Sequence, residues 1–223
     1  MIAGSQSADQ RASIIKPLAK QQFSALEPLT SKTLIRHAKA IEDAKDGQRL
    51  EVTLTFLKAC MGGVRKDFID GINSKRKGGK LKRKEYGSLL DVGDLVDGLD
   101  GFGKVLSLVE GFMGRRNTFP YRRELLSAVI SGLRTVEAEG GSLVDAILDF
   151  QTRSRHLGRR IPRRSIGSTL LVKGLEVDHV IIVEYDGMSK EDWYVALTRA
   201  TQSIIVLSKS ASIAPMPARP KGA

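Results

Sequence analysis

Lys173-Gly174-Leu175-Glu176 and, further along, Thr198-Arg199 are residues whose types could handle a phosphorylated ligand. A lysine ammonium is a point charge suited to phosphate. A glycine lets backbone approach a ligand closely. The Glu176 carboxylate could accept from hydroxyls such as those of a ribose. Arg199 carries a long, permanently charged guanidinium that can reach across a domain cleft to a phosphate. Lys-Gly-Leu-Glu alone is an ordinary turn sequence, so its meaning depends on what surrounds it. A second basic feature is the stretch 73–87, "NSKRKGGKLKRKEYG". It holds Lys75, Arg76, Lys77, Lys80, Lys82, Arg83 and Lys84 without a periodic apolar face, which predicts a loop or flexible hairpin. Two readings stand: a solvated linker, or contact with a phosphate backbone, each cation neutralising one phosphate. Tyr86 is the one nearby aromatic that could stack on a base. His37, His156 and His179 are scattered, and no metal-ligand spacing occurs.

The elements that must position these residues change in texture at residue 157. Ser165–Val172 reads as a strand, and Val177–Glu184, nearly continuous in apolar residues, as a second, buried one. Ser189 caps a helix to Thr201, and 203–208 is a third strand. Strand–helix–strand implies a right-handed crossover in a mostly parallel sheet. That puts Lys173–Glu176 just past the carboxyl end of the first strand, the edge where open sheets bind ligands. It puts Arg199 in the second half of the helix. Upstream, residues 1–10 read as a frayed tail and 12–44 as helical. Residues 50–72 read as a helix broken near Gly62-Gly63, with Val52, Thr53 and Thr55 leaving a strand open. Helices are expected at 103–113 and 120–138, the latter ended by Gly140-Gly141. Ser142, with Asp145 three residues on, should cap another to about 156. The division is thus 1–156 mostly helical, 157–210 an α/β core, and 211–223 a disordered tail. Three strands do not bury both faces of a sheet, so further strands are expected in the first half or on a partner.

The 223 residues allow one large domain or two small ones. Hydrophobic content of 41% and charged content of 27% are those of an ordinary globular chain. No apolar run nears the roughly 18–20 residues a membrane span needs. Residues 1–11 lack the charged leader and apolar core of a secretory signal. Cys60, the single cysteine, excludes an internal disulfide and sits in an apolar stretch. Together these point to a reducing, cytoplasmic setting without membrane contact. A net charge of +11 favours polyanionic partners, nucleic acid first.

In combination the motifs are more specific. "KGLEVDHVIIVE", then "WYVALTRA", then a strand resembles the C-terminal core of the UvrD/Rep-type superfamily 1 helicases. That family has a Thr-x-His-x-x-Lys-Gly-Leu-Glu-Phe turn and strand, followed by Tyr-Val-Ala-x-Thr-Arg-Ala. The resemblance covers about 165–208. It implies an α/β fold in which a helical region precedes part of a RecA-like parallel sheet, the second motor domain of a phosphate-loop NTPase. It implies that Arg199 approaches the γ-phosphate of ATP as a catalytic arginine finger, and that Glu176 contacts the nucleotide sugar, with Gly174 allowing the approach. Tyr194 would lie near the cleft or the DNA groove, and Lys173 and Ser168 would face nucleotide or strand backbone. The implied partners are single-stranded DNA, with ATP and magnesium as cofactors. Leu170 stands where the family has His, and Val177 where it has Phe, so the histidine that helps couple ATP to DNA has no counterpart.

No Gly-x-x-x-x-Gly-Lys-Ser/Thr occurs, nor an apolar strand ending in Asp-Glu. The resemblance therefore implies that a separate N-terminal helicase half cradles ATP and magnesium, and that this chain alone does not turn over ATP. The other readings are a non-catalytic basic nucleic-acid-binding or regulatory protein that keeps the fold, and a remnant without activity.

Overall fold

The computed structural model describes residues 2–3, 8–26, 32–45, 47–65, 67–78, 89, 96, 101–156, 161–183 and 187–216. The chain is mixed α/β and forms two compact units: Met1–Pro28 with Ile161–Ala223, and Leu29–Arg160. The expected boundary near 156 lies close to the second break. The first, at Pro28, has no counterpart in the sequence reading.

The first unit is built on a five-stranded parallel sheet. Its strands are β1 (Ile2–Ala3), β2 (Ser24–Ala25), β5 (Ser165–Gly167), β6 (Val177–Ile182) and β7 (Ala200–Val206), in spatial order β2-β5-β1-β6-β7. Its helices are α1 (Ala8–Leu18), the short α8 (Thr169–Val172) and α9 (Lys190–Leu197). Residues 1–10, expected as a frayed tail, instead supply the central strand: Ile2 pairs with Ile166 on one side and Ile181 on the other. The strands missing from the three-strand expectation are therefore β1 and β2. With two residues each they carry no readable alternation.

Three further expectations are corrected here. The strand foreseen over Ser165–Val172 stops at Gly167, and Ser168 turns the chain into α8. Gly167 is a fitting last position: a Cβ there would come within 3.1 Å of both Leu26 and Val172 side chains. The helix foreseen to Thr201 stops at Leu197, because β7 must begin at Ala200 to pair with Val177. And β6 is not buried throughout: Asp178 and His179 are exposed, while Val180 and Ile182 pack with Met188 and Ala196.

The second unit is helical. It contains α2 (Lys32–Glu42), α3 (Arg49–Cys60), α4 (Asp67–Arg76), α5 (Gly101–Met113), α6 (Arg123–Glu139) and α7 (Leu143–His156), with a small antiparallel pair, β3 (Met61–Gly62) and β4 (Phe119–Pro120). The helix expected over 50–72 is thus two helices split by β3. Pro120, expected inside a helix, lies in β4 opposite Met61, where its missing N–H is tolerated. One core joins these helices. Phe68 meets Phe112 edge-on with ring centroids 4.9 Å apart, and Cys60 is fully buried among Leu54, Leu57 and Met61. Gly140 (φ 75°) closes α6, its N–H donating to the Val136 carbonyl at 2.9 Å. Ser142 caps α7 through Asp145 N–H at 3.2 Å, and Glu42 Oε1 accepts Leu143 N–H at 2.8 Å. Among the described residues no helix is long and apolar enough to cross a membrane.

Candidate functional site

The site lies in the first unit, where β6 and β7 begin. Val177 N–H donates to the Arg199 carbonyl at 2.9 Å, so the turn before β6 and the residue before β7 are bonded neighbours. This brings Lys173, Gly174, Glu176 and Arg199 to one end of the sheet. It is the amino end, not the carboxyl edge the sequence suggested: α8 returns the chain across the sheet before the turn begins, as a parallel crossover requires.

Arg199 is half-buried and held on three sides. Its Nη1 donates to the Leu175 carbonyl at 3.2 Å, its Nε to the Val195 carbonyl at 3.2 Å, and its Nη2 to Thr198 Oγ1 at 2.9 Å. The Val195 carbonyl is one of those left unpaired at the end of α9, where the helix dipole favours a cation. All three acceptors are neutral, and among the described residues Arg199 forms no ion pair. Its charge is therefore positioned but not neutralised. Thr198 secures the same corner, donating through Oγ1 to the Tyr194 carbonyl at 2.8 Å.

The facing turn is open. Gly174 sits at φ +82° with nothing within 4 Å of where a Cβ would be. Its conformation, not crowding, calls for glycine. Lys173 and Glu176 are exposed and have no side-chain partner among the described residues. Tyr194, on α9, is 70% exposed. Ser168 is elsewhere: it follows the carboxyl end of β5 as the residue before α8, half-buried and making no side-chain cap bond.

Sequence reasoning missed the residues that hold this corner together. Asp192 accepts through Oδ2 from Ser189 N–H at 3.1 Å, while Asp192 N–H donates to Ser189 Oγ at 3.2 Å, a reciprocal cap on α9. Its Oδ1 accepts a short hydrogen bond from Thr169 Oγ1, tying α8 to α9. Ser189 was legible as a cap; its spacing to Asp192 was the signal for the rest. The Ser189 hydroxyl, and then the backbone at Glu191, hold the exposed Glu191 carboxyl below its ordinary pKa.

Lys75 and Arg76 end α4, and Lys77 is exposed in the following turn, all in the second unit. Lys80, Lys82, Arg83, Lys84 and Tyr86 lie outside the described residues, as does Glu184. His37 is buried against Phe56 with ring centroids 5.5 Å apart, and His179 Nδ1 lies 2.8 Å from Ser203 Oγ, both structural settings. Among the described residues no group of three or more His, Cys, Asp or Glu is placed to hold a metal ion. No protein-family model matches the chain, and no curated protein matches it.

Proposed function

We propose that the first unit is the second, RecA-like motor domain of a UvrD/Rep-type superfamily 1 helicase, acting on ATP held by another segment that carries the phosphate loop. The observation that supports this reading most is the Arg199 guanidinium bonded to the carbonyl between Gly174 and Glu176. The two motifs that carry the resemblance meet there, on a parallel sheet, with the arginine's charge left unneutralised.

In this reading Arg199 leaves or shares its neutral acceptors to face the γ-phosphate. Neutral carbonyls compete weakly with a charge-assisted, bidentate phosphate contact. Held by its helix end and by Leu175, the guanidinium needs little reorganisation to stabilise charge on the transferring phosphoryl group. Glu176 accepts from sugar hydroxyls, Gly174 keeps the turn low enough for approach, and exposed Lys173 adds a cation. Tyr194 and Ser168 are the residues proposed to face the cleft or single-stranded DNA. Bound ATP with magnesium would supply the phosphoryl chemistry; the described residues here offer cations to phosphate and no magnesium ligand set.

The test joins this chain behind a first motor domain that carries a phosphate loop. The joined protein should hydrolyse ATP when single-stranded DNA is added, and neither part alone should. If the joined protein binds ATP yet hydrolyses no faster than the first domain alone, the reading is wrong.

A further inference from the structure

β7 ends the five-stranded sheet, with β6 on one side and, among the described residues, no strand on the other. End strands are normally blunted by charge, proline, bulges or shortness, because their outer backbone groups can pair with another strand. β2, the opposite end, is blunted by length, having two residues. β7 has seven, and the run 200–208, "ATQSIIVLS", contains no charged residue and no proline. Its irregularity comes at the start: between the pairs Val177–Ala200 and His179–Ser203, β7 has one residue more than β6. From Ser203 to Val206 the register with β6 is regular.

The two sides of that regular stretch differ. Leu207 N–H donates to the Ile182 carbonyl, so Leu207, Ile205 and Ser203 turn their backbone groups towards β6. Ile204 and Val206, alternating with them, turn theirs outward, where no described strand meets them. Side chains alternate as well. Val206 packs with the cluster of Val180, Ile182 and the α9 residue Ala196, so Val206 and Ile204 share the α9 face. Ser203, Ile205 and Leu207 lie on the opposite face. Ile204 is 39% exposed, Ile205 51% and Leu207 59%, so apolar surface is open on both faces beside the open edge.

We propose that β7 pairs antiparallel with β7 of a second copy about a two-fold axis, Ile205 facing its own image at the centre. The outward groups of Ile204 and Val206 call for an extended strand, since a backbone offers donors and acceptors at that spacing. In this register Ile204 of each copy exchanges hydrogen bonds with Val206 of the other. Apolar residues then meet on both faces: Ile204 with Val206 on the α9 face, and Ile205 with Ile205 on the other. Charge suits a second copy too. β7 has none, and its unit holds 11 Lys and Arg against 8 Asp and Glu, which leaves most of the +11 surplus on the other unit. Residues 203–207 make a short contact, well under the roughly 800 Å² per partner of a stable complex, so association is weak and concentration-dependent. The contact is isologous and stops at two copies, because β2 is too short to continue the sheet. Nothing here depends on a nucleotide at Arg199.

Sedimentation of the full chain from about 1 to 200 μM should show dimer growing with concentration by mass action. Ile205→Cys reports the register, because residues facing across a non-hydrogen-bonded pair lie about 4.5 Å apart at Cα, within disulfide reach. It should cross-link two copies under mild oxidation at least ~10-fold faster than Ser203→Cys, whose own image lies further along the strand. The native thiol, Cys60, is fully buried and does not compete. Ile204→Pro deletes an outward donor without removing a bond to β6, and should abolish the dimer while circular dichroism shows a folded chain. Should it misfold, Ile205→Lys, which sets like charges face to face at the axis, should abolish the dimer from an exposed position. A chain that stays monomeric throughout, even one that takes up a strand of another protein, overturns the inference. So does a dimer that withstands both substitutions, or one that cross-links as readily through the Ser203→Cys variant.

Discussion

Arg199 follows the end of α9, and three neutral oxygens hold its guanidinium where a cation is welcome. Alanine there removes a cap as well as a charge, so stability should fall by about 1 kcal/mol, the scale of a charge at a helix C-terminus. Thermal unfolding measures that cost separately from any loss of activity. Gly174 makes a cleaner case. Open space surrounds its Cβ position, so Gly174→Ala should cost only the left-handed backbone penalty, about 1–2 kcal/mol. A loss well above that in a denaturant melt would mean that crowding, not φ, selects glycine here. Both residues were readable as candidates from their chemical types. What could not be read was the carbonyl of Leu175 that joins them, because a backbone acceptor leaves no mark on the sequence.

At the scale of elements, α9 depends on Asp192. Its two carboxylate oxygens serve the cap and Thr169, which is only 4% exposed. Asp192→Ala should cost about 1–3 kcal/mol, a lost cap plus a buried hydroxyl left unpaired, and Asp192→Asn less. A loss no larger than that of an exposed Asp178→Ala control would refute the tie between α8 and α9. Acid should act at the same helix start. Because the folded state lowers the Glu191 pKa, its contribution is present above the unfolded value and disappears as pH falls through the folded one. A carboxyl carbon titration should place its midpoint below that of a peptide glutamate; a midpoint at or above it would contradict the Ser189 bond. The helices with long periodic faces, α5, α6 and α7, were legible to within a few residues at each end, as were β6, α9 and β7. The strand foreseen over Ser165–Val172 failed because β-branched and apolar residues fit either state. There Thr169, bonded to Asp192, settles the helical turn.

For the whole molecule, the first unit is closed by its first residues. Removing 1–26 deletes the central strand and β2, leaving β5 and β6 with no strand between them. That variant should lose cooperative unfolding of the first unit while the helical unit, which has its own core, keeps its helical signal. A native-like thermal transition for the first unit would show that β1 is dispensable. No composition or periodicity signal marked these strands, since two residues are too few for one. The central proposal remains that Arg199 acts on a nucleotide held elsewhere. Its most direct test is the steady-state rate of ATP hydrolysis by the joined motor at saturating ATP and DNA, with Arg199 and with Arg199→Ala. The rate should fall about 10³–10⁵-fold while ATP binding persists, and Arg199→Lys should restore little of it. An Arg199→Ala motor that hydrolyses ATP at the unaltered rate would contradict the account and leave Arg199 as a helix cap.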